Sequence, residues 1–245
     1  MQKKGQTLRL QARGVLPPGA PGMVLLSSQR KKLVSRLQRV LEIIPQPRFG
    51  QEELKGSFVR TDGRVQNWEL ADSYWTFHRE MQPPQALGVQ AGQIKARDRL
   101  YHWVVHLLLN VKEPTQSHFV ALNEHSTLKP VDPKTAQNLL EKLCNLHELT
   151  AQRALPLFPD LAWDWCKNNL DSLQNPGFCP TEKEWSTLIT PQFPKESTPW
   201  YSRLFEGVES WEEWFEKHPG VQAEMQELSL ALWLDYLEAL GGVDE

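Results

Sequence analysis

His102 and His106 stand four residues apart on a segment that reads as helix, a spacing at which two imidazoles can reach one metal ion. No glutamate follows His102 in an HExxH arrangement, and no third ligand stands nearby in sequence. The pair therefore reads as core or interface histidines, and no metal is expected. Cys144 and Cys166 fall at apolar helical positions and read as buried thiols rather than nucleophiles. With Cys179 they make three scattered cysteines and no CxxC pair, the pattern of a reduced, cytosolic chain without structural zinc. There is no GxxxxGK[ST] or GxGxxG run to cradle phosphates and no GxSxG elbow to aim a serine. No cofactor and no small-molecule substrate are expected.

Charge placement suggests a different chemistry. Residues 1–40 hold nine Lys/Arg and no Asp/Glu, whereas residues 206–245 hold one lysine and eleven acidic residues, under a net charge of only −3. Between Ser28 and Ile44, apolar Leu33, Val34, Leu37, Val40, Leu41 and Ile44 recur at helical spacing. The outer face of that helix carries Arg30, Lys31, Lys32, Arg36 and Arg39, which could track a phosphate backbone by displacing counterions. The competing reading is that the basic head packs against the acidic tail within the fold. Aromatic residues interleave poorly with these cations, which argues against a stacking platform for single strands. Most of the ten tryptophans are expected in the core.

These groups need a scaffold, and 245 residues suffice to bury a core without disulfides or metals. The longest apolar run, Trp103 to Leu109, is far short of a membrane span, and no apolar stretch follows Lys3 and Lys4 to suggest a secretory signal. Gln6 to Arg13 alternates like a short strand, and Gly14 to Gly22 reads as a stiff Pro/Gly turn. Leu54–Arg60 and Arg64–Leu70 flank Thr61-Asp62-Gly63, a strong hairpin signal. A polar loop with Pro83-Pro84 follows, then a buried helix from about Lys95 to Val111 and a strand over 117–123. Asp132-Pro133 opens another helix, with Asp as N-cap and Pro at N1. Beyond residue 150 we expect a rigid extended Ala154-Leu155-Pro156-Leu157-Phe158-Pro159 segment, a short helix over 160–173 and a loop-rich stretch over 174–200. Two closing helices follow, ended by a Gly241-Gly242 cap. The interleaving predicts a mixed α/β domain, a core over 1–150 with a loop-rich and helical extension over 151–245 packed on it.

Several runs, in this order and spacing, carry a resemblance to a known family. They are Gly14-Val15-Leu16-Pro17-Pro18-Gly19 with the basic helix, Leu54-Lys55-Gly56, Gln85-Ala86-Leu87-Gly88, and Ile94 to Leu100. Trp103 to Asn110, Leu155 to Phe158, and Tyr201 to Gly207 complete the set. Together they resemble the C-terminal domain of RecC, the gamma subunit of exodeoxyribonuclease V (the RecBCD helicase–nuclease). The resemblance implies a restriction-endonuclease-like, PD-(D/E)XK-type mixed sheet flanked by helices, catalytically degenerate, in a scaffold without activity of its own. It implies RecB-like and RecD-like subunits as partners, DNA contacted through the complex, and a cytoplasmic place away from membranes. Active nucleases of this type carry an L-x-G-x-[IF]-D strand, then a D-Y-K strand, then a Q-x-x-x-Y helix; two carboxylates hold Mg²⁺ and the lysine orients or activates water. Here Val59 stands at the first acidic position, while Asn67 and Glu69 stand where Asp and Lys are needed. Two alternatives stay open, a free-standing DNA-binding adaptor and a metal-dependent DNA nuclease with a rearranged site.

Overall fold

The computed structural model describes residues 20–44, 54–70, 75–90, 92–121, 124–169, 181 and 211–244. The expected strand over 6–13, most of the Gly14–Gly22 turn, and the 174–200 stretch apart from residue 181 lie outside the described residues. In chain order the elements are α1 (Ala20–Ile43), β1 (Leu54–Val59), β2 (Val65–Leu70), β3 (Trp75–His78), β4 (Gln85–Val89) and α2 (Ala96–Lys112). They continue with β5 (Gln116–Val120), β6 (His125–Leu128), α3 (Pro133–Gln152), α4 (Pro159–Asn168), α5 (Trp211–Lys217), α6 (Val221–Ala239) and β7 (Leu240–Asp244). Among the described residues no helix is long and apolar enough to cross a membrane.

The hairpin forms as the sequence predicts. β1 and β2 pair antiparallel from Leu54↔Leu70 to Val59↔Val65, closed by a turn in which the Gly63 N–H donates to the Arg60 carbonyl (2.9 Å). Gly63 sits at φ +82°, a left-handed conformation that a side chain would strain. The two strands make a sheet of their own, separate from a five-stranded sheet ordered β3-β4-β5-β6-β7. In that larger sheet β4 and β5 run parallel with α2 as their crossover, and the other neighbours are antiparallel.

Four expectations need correction. The stretch around Pro83-Pro84 that reads as a polar loop holds two strands, β3 and β4, paired antiparallel. The first helix starts at Ala20, so Ala20-Pro21-Gly22 belong to its first turn rather than to the preceding turn. Proline is tolerated there because the N–H it lacks has no intrahelical partner in the first turn. Gly241-Gly242 does not cap the last helix; Leu240–Asp244 pairs with β6 and becomes the fifth strand. The fourth helix ends at Asn168, where Asn169 folds its amide back onto the Trp165 carbonyl at 2.8 Å.

Period-two alternation and register assign the faces of the sheet. Ser117 and Phe119 point to α2, where the His106 and His102 side chains meet the Ser117 hydroxyl at 2.7 and 3.1 Å and His102 stacks on Phe119. Behind α2 lies the main core, where Trp103 and Tyr236 pack at right angles, as do Trp163 and Trp233. The closing segment is therefore part of the core, through α6, and part of the sheet, through β7. As expected, most of the described tryptophans fill this core: Trp103, Trp163, Trp165, Trp211, Trp214 and Trp233 are buried. Cys166 is buried among them, its thiol pushed up to about 12 by burial, and Cys144 is half-buried on α3.

The opposite face carries Leu87, Val89 and Val120, and against these pack Val40 and Ile44 at the end of α1. Its remaining positions are polar. The register puts Thr76, His118 and Thr127 in line with Leu87, and sets His78 beside Gln85.

Candidate functional site

The hairpin holds the residues that the sequence compares with a nuclease centre. Register pairs Val59 with Val65, Ser57 with Asn67 and Lys55 with Glu69. All six fall on one face, because directly opposed residues share a face and alternate residues repeat it. That face is exposed, and Lys55 Nζ meets Glu69 at 3.1 Å across the strands. The structure thus brings Val59, Asn67 and Glu69 together, but on an open surface, with the one carboxylate neutralised by a lysine.

The other face turns inward with Phe58 and Trp68, and it explains the glycine of the L-x-G run. A Cβ at Gly56 would lie 2.6 Å from the Trp68 ring, so only glycine lets the indole lie flat over the opposite strand. Lys112 of α2 rests above the same indole at 5.1 Å. Gly56→Ala should destabilise the protein by about 1–3 kcal/mol through this overpacking, read as a lower urea midpoint. An unchanged midpoint would show that Trp68 moves aside without penalty.

Charge fixes the tip of the hairpin to α3. The buried Arg60 guanidinium donates to Glu148 and Asn145, Arg64 adds two bonds to Glu148 (3.1 and 3.2 Å), and Glu141 accepts from the Thr61 N–H at 3.0 Å. Hydrogen bonds from Arg60 and Arg64 hold the Glu148 carboxyl below its ordinary range, and bonds from Arg64 do the same for Asp62. The sequence suggested none of these contacts, because nothing in the local pattern of residues 60–64 points to a helix some eighty residues away.

Helix α1 holds the basic candidates. Arg30, Lys31 and Lys32 are exposed and Arg39 is half-buried, with Nη1 enclosed and without a hydrogen-bond partner among the described residues. Position 36 lies between them on the helix. The expected apolar stripe is not buried along its length: Leu33, Val34, Leu37 and Leu41 stay 44–53% exposed, and only Val40 and Ile44 are covered. The polar side chains on this face of the sheet account for the short contact, since among the described residues α1 finds apolar partners only at Leu87, Val89 and Val120. The acidic tail pairs elsewhere among the described residues, Asp235 with Lys142 at 2.6 Å, Glu224 with Arg153, and Glu213 with Lys217 at 2.9 Å. These pairs do not support the reading in which the basic head packs on the acidic tail.

A third polar group went unnoticed in the sequence. His118, His125 and Thr127 meet side by side at 3.1–3.4 Å on the α1-facing side of the sheet. Burial drives His118 down to about 4, so it is neutral near pH 7. The spacing of these residues, polar at every second position through two short strands, was the available signal. Among the described residues no three His, Cys, Asp or Glu side chains gather closely enough to hold a metal ion.

The model of the RecC C-terminal domain family matches residues 2–169. The chain belongs to that family. No curated protein matches it. In this RecC C-terminal domain the match spans α1 to α4, and so includes the hairpin, its clamp on α3 and the parallel β4–α2–β5 unit. The sheet of the RecC domain is completed from outside the match, by β7.

Proposed function

We propose that this chain is a non-catalytic scaffold in a RecC-like subunit, supporting DNA strand guidance and the assembly of a RecD-like subunit in double-strand-break repair. Membership of the RecC C-terminal domain family implies a role within RecBCD, exodeoxyribonuclease V. The finer reading, a degenerate nuclease fold, rests on one observation: among the described residues no strand ahead of α2 gathers two carboxylates and a lysine. The D-Y-K comparison falls on β2, and β4, Gln85-Ala86-Leu87-Gly88-Val89, which intervenes before α2, holds no charged residue. β2 offers Asn67 and Glu69, and β1 offers Val59 where the first metal-binding aspartate belongs. Without two carboxylates a divalent ion has no fixed seat, and without the lysine the attacking water is not activated. Lys32, exposed on one flank of α1, with position 36 and the half-buried Arg39 further along it, marks our DNA-facing side.

Two measurements test this. Purified protein with Mg²⁺ or Mn²⁺ should degrade linear duplex no faster than background; cleavage abolished by substituting one specific carboxylate would establish a rearranged nuclease instead. Co-expression with RecB-like and RecD-like subunits should yield a stable complex. Failure to co-purify, together with salt-sensitive duplex binding by the chain alone, would favour the free-standing adaptor.

A further inference from the structure

We propose that the exposed apolar ridge of α1 docks an amphipathic helix with acidic flanks, supplied by a different polypeptide. Four large side chains, Leu33, Val34, Leu37 and Leu41, lie next to one another on the helix surface, each about half exposed. Positions 30, 34, 37 and 41 follow the i, i+4, i+7, i+11 spacing of a single ridge about 16 Å long. The ridge runs on into Val40 and Ile44, which are already packed on the sheet, so its inner end is fixed and its outer part is open. Contiguous exposed apolar surface of this kind marks an interaction site more often than scattered exposed leucines do.

Charge selects the occupant. Arg30 stands in the ridge itself, contrary to the expectation that the basic face lies apart from the apolar stripe, and Lys31 borders it; both are exposed. A second copy of α1 would bring the same cations against them, and like charges facing each other weaken an interface. A partner helix with leucines toward the ridge and carboxylates alongside satisfies both features at once, in the helix-on-groove mode. Lys32 and Arg39 point to the other flank, so this docking and DNA contact call on different residues.

The test uses the full chain and three synthetic peptides: a Leu/Glu heptad helix, its Leu/Lys counterpart, and a scrambled Leu/Glu sequence. The Leu/Glu helix should bind, with the other two at least tenfold weaker. Leu37→Asp should lower its affinity at least tenfold while leaving the circular dichroism and melting temperature unchanged, because Leu37 is not part of the packed core. Leu33→Gln with Leu37→Gln serves as a gentler second variant. Arg30→Glu with Lys31→Glu should weaken peptide binding by a similar factor and leave duplex binding intact, whereas Lys32→Glu with Arg39→Glu should do the reverse. Equal binding of helical and scrambled peptides would overturn the proposal, as would indifference to both leucine variants. Concentration-dependent self-association abolished by Leu37→Asp would assign the ridge to a second copy, and duplex binding abolished by Leu37→Asp would assign it to DNA; either result also overturns it.

Discussion

Replacing Asn110 with alanine is expected to cost about 4 kcal/mol or more and to leave the protein barely folded under ordinary conditions. Asn110 is fully buried near the end of α2, and its amide joins three separate pieces of backbone. Nδ2 donates to the His106 carbonyl at 2.8 Å and to the Thr115 carbonyl at 3.0 Å. Oδ1 accepts from the Thr115 N–H at 2.8 Å and from the Val131 N–H at 2.9 Å. One side chain thus satisfies the connection from α2 to β5 and the approach to α3. Alanine strands two buried donors and costs two carbonyls a bond; each stranded group costs roughly 1–3 kcal/mol. Asn110→Asp should be comparably harmful, since it keeps the acceptor but sets a carboxylate oxygen against two carbonyls. Urea unfolding followed by circular dichroism reads the loss as a lower midpoint at unchanged slope. A midpoint within experimental error of the parent would show that water replaces the amide in full, and that this network does not hold the βαβ unit together.

How such a hub escapes a reading of the sequence shows where that reading stops. Elements announced by local chemistry were legible. Asp132-Pro133 starts α3, with the aspartate side chain accepting from the Lys134 and Thr135 N–H groups. Asp62-Gly63 turns the hairpin, and the apolar second half of α2 is buried under the sheet. β3 and β4 lie within the stretch that reads as a polar loop around Pro83-Pro84, and β6 is hidden because His125-Ser126-Thr127-Leu128 carries too little apolar alternation. β7 was hidden by its glycines, which read as a helix cap until β6 supplied a partner strand. In the candidate site, period two alone places Val59 with the other exposed side chains of β1. It cannot show that the hairpin stands apart from the main sheet, or that β4 pairs with β5 within it. Those facts depend on pairings distant in sequence. The exposure of Leu33 and Leu37 is likewise invisible locally, because helical periodicity identifies an apolar face without identifying what covers it.

Lowering the pH from 7 to 5 should remove roughly 4 kcal/mol of stability through His106 and His118 and more through His102, a large part of the stability of a typical domain. Three histidines provide the effect. Burial holds His102 well below its ordinary value, aided by the neighbouring His106; it brings His106 to about 3 and His118 to about 4. In the unfolded chain each titrates near 6.5. A base with a depressed pKa in the fold favours folding above its unfolded pKa, and that contribution is lost as pH falls toward the folded value. From about 6.5 down to about 4 the unfolded chain therefore binds up to three more protons than the native one, a slope approaching roughly 4 kcal/mol per pH unit. The carboxyls of Asp62 and Glu148, held low by the hairpin clamp, add to the loss only below the carboxylate range, so they come into play after the histidines. Tyr236, pushed up to about 12 by burial, acts at the other extreme, with stability lost as pH rises beyond about 10. Urea midpoints measured at half-unit steps from pH 7.5 to 4.5 check the prediction. The midpoint should be flat above pH 7 and fall steeply below 6.5, and His118→Asn should take away about a third of that slope whatever it does to the plateau. A curve that stays level to pH 5 would mean that the buried imidazoles are protonated in the fold, and that the Ser117 hydroxyl shared by His102 and His106 accepts from an imidazolium.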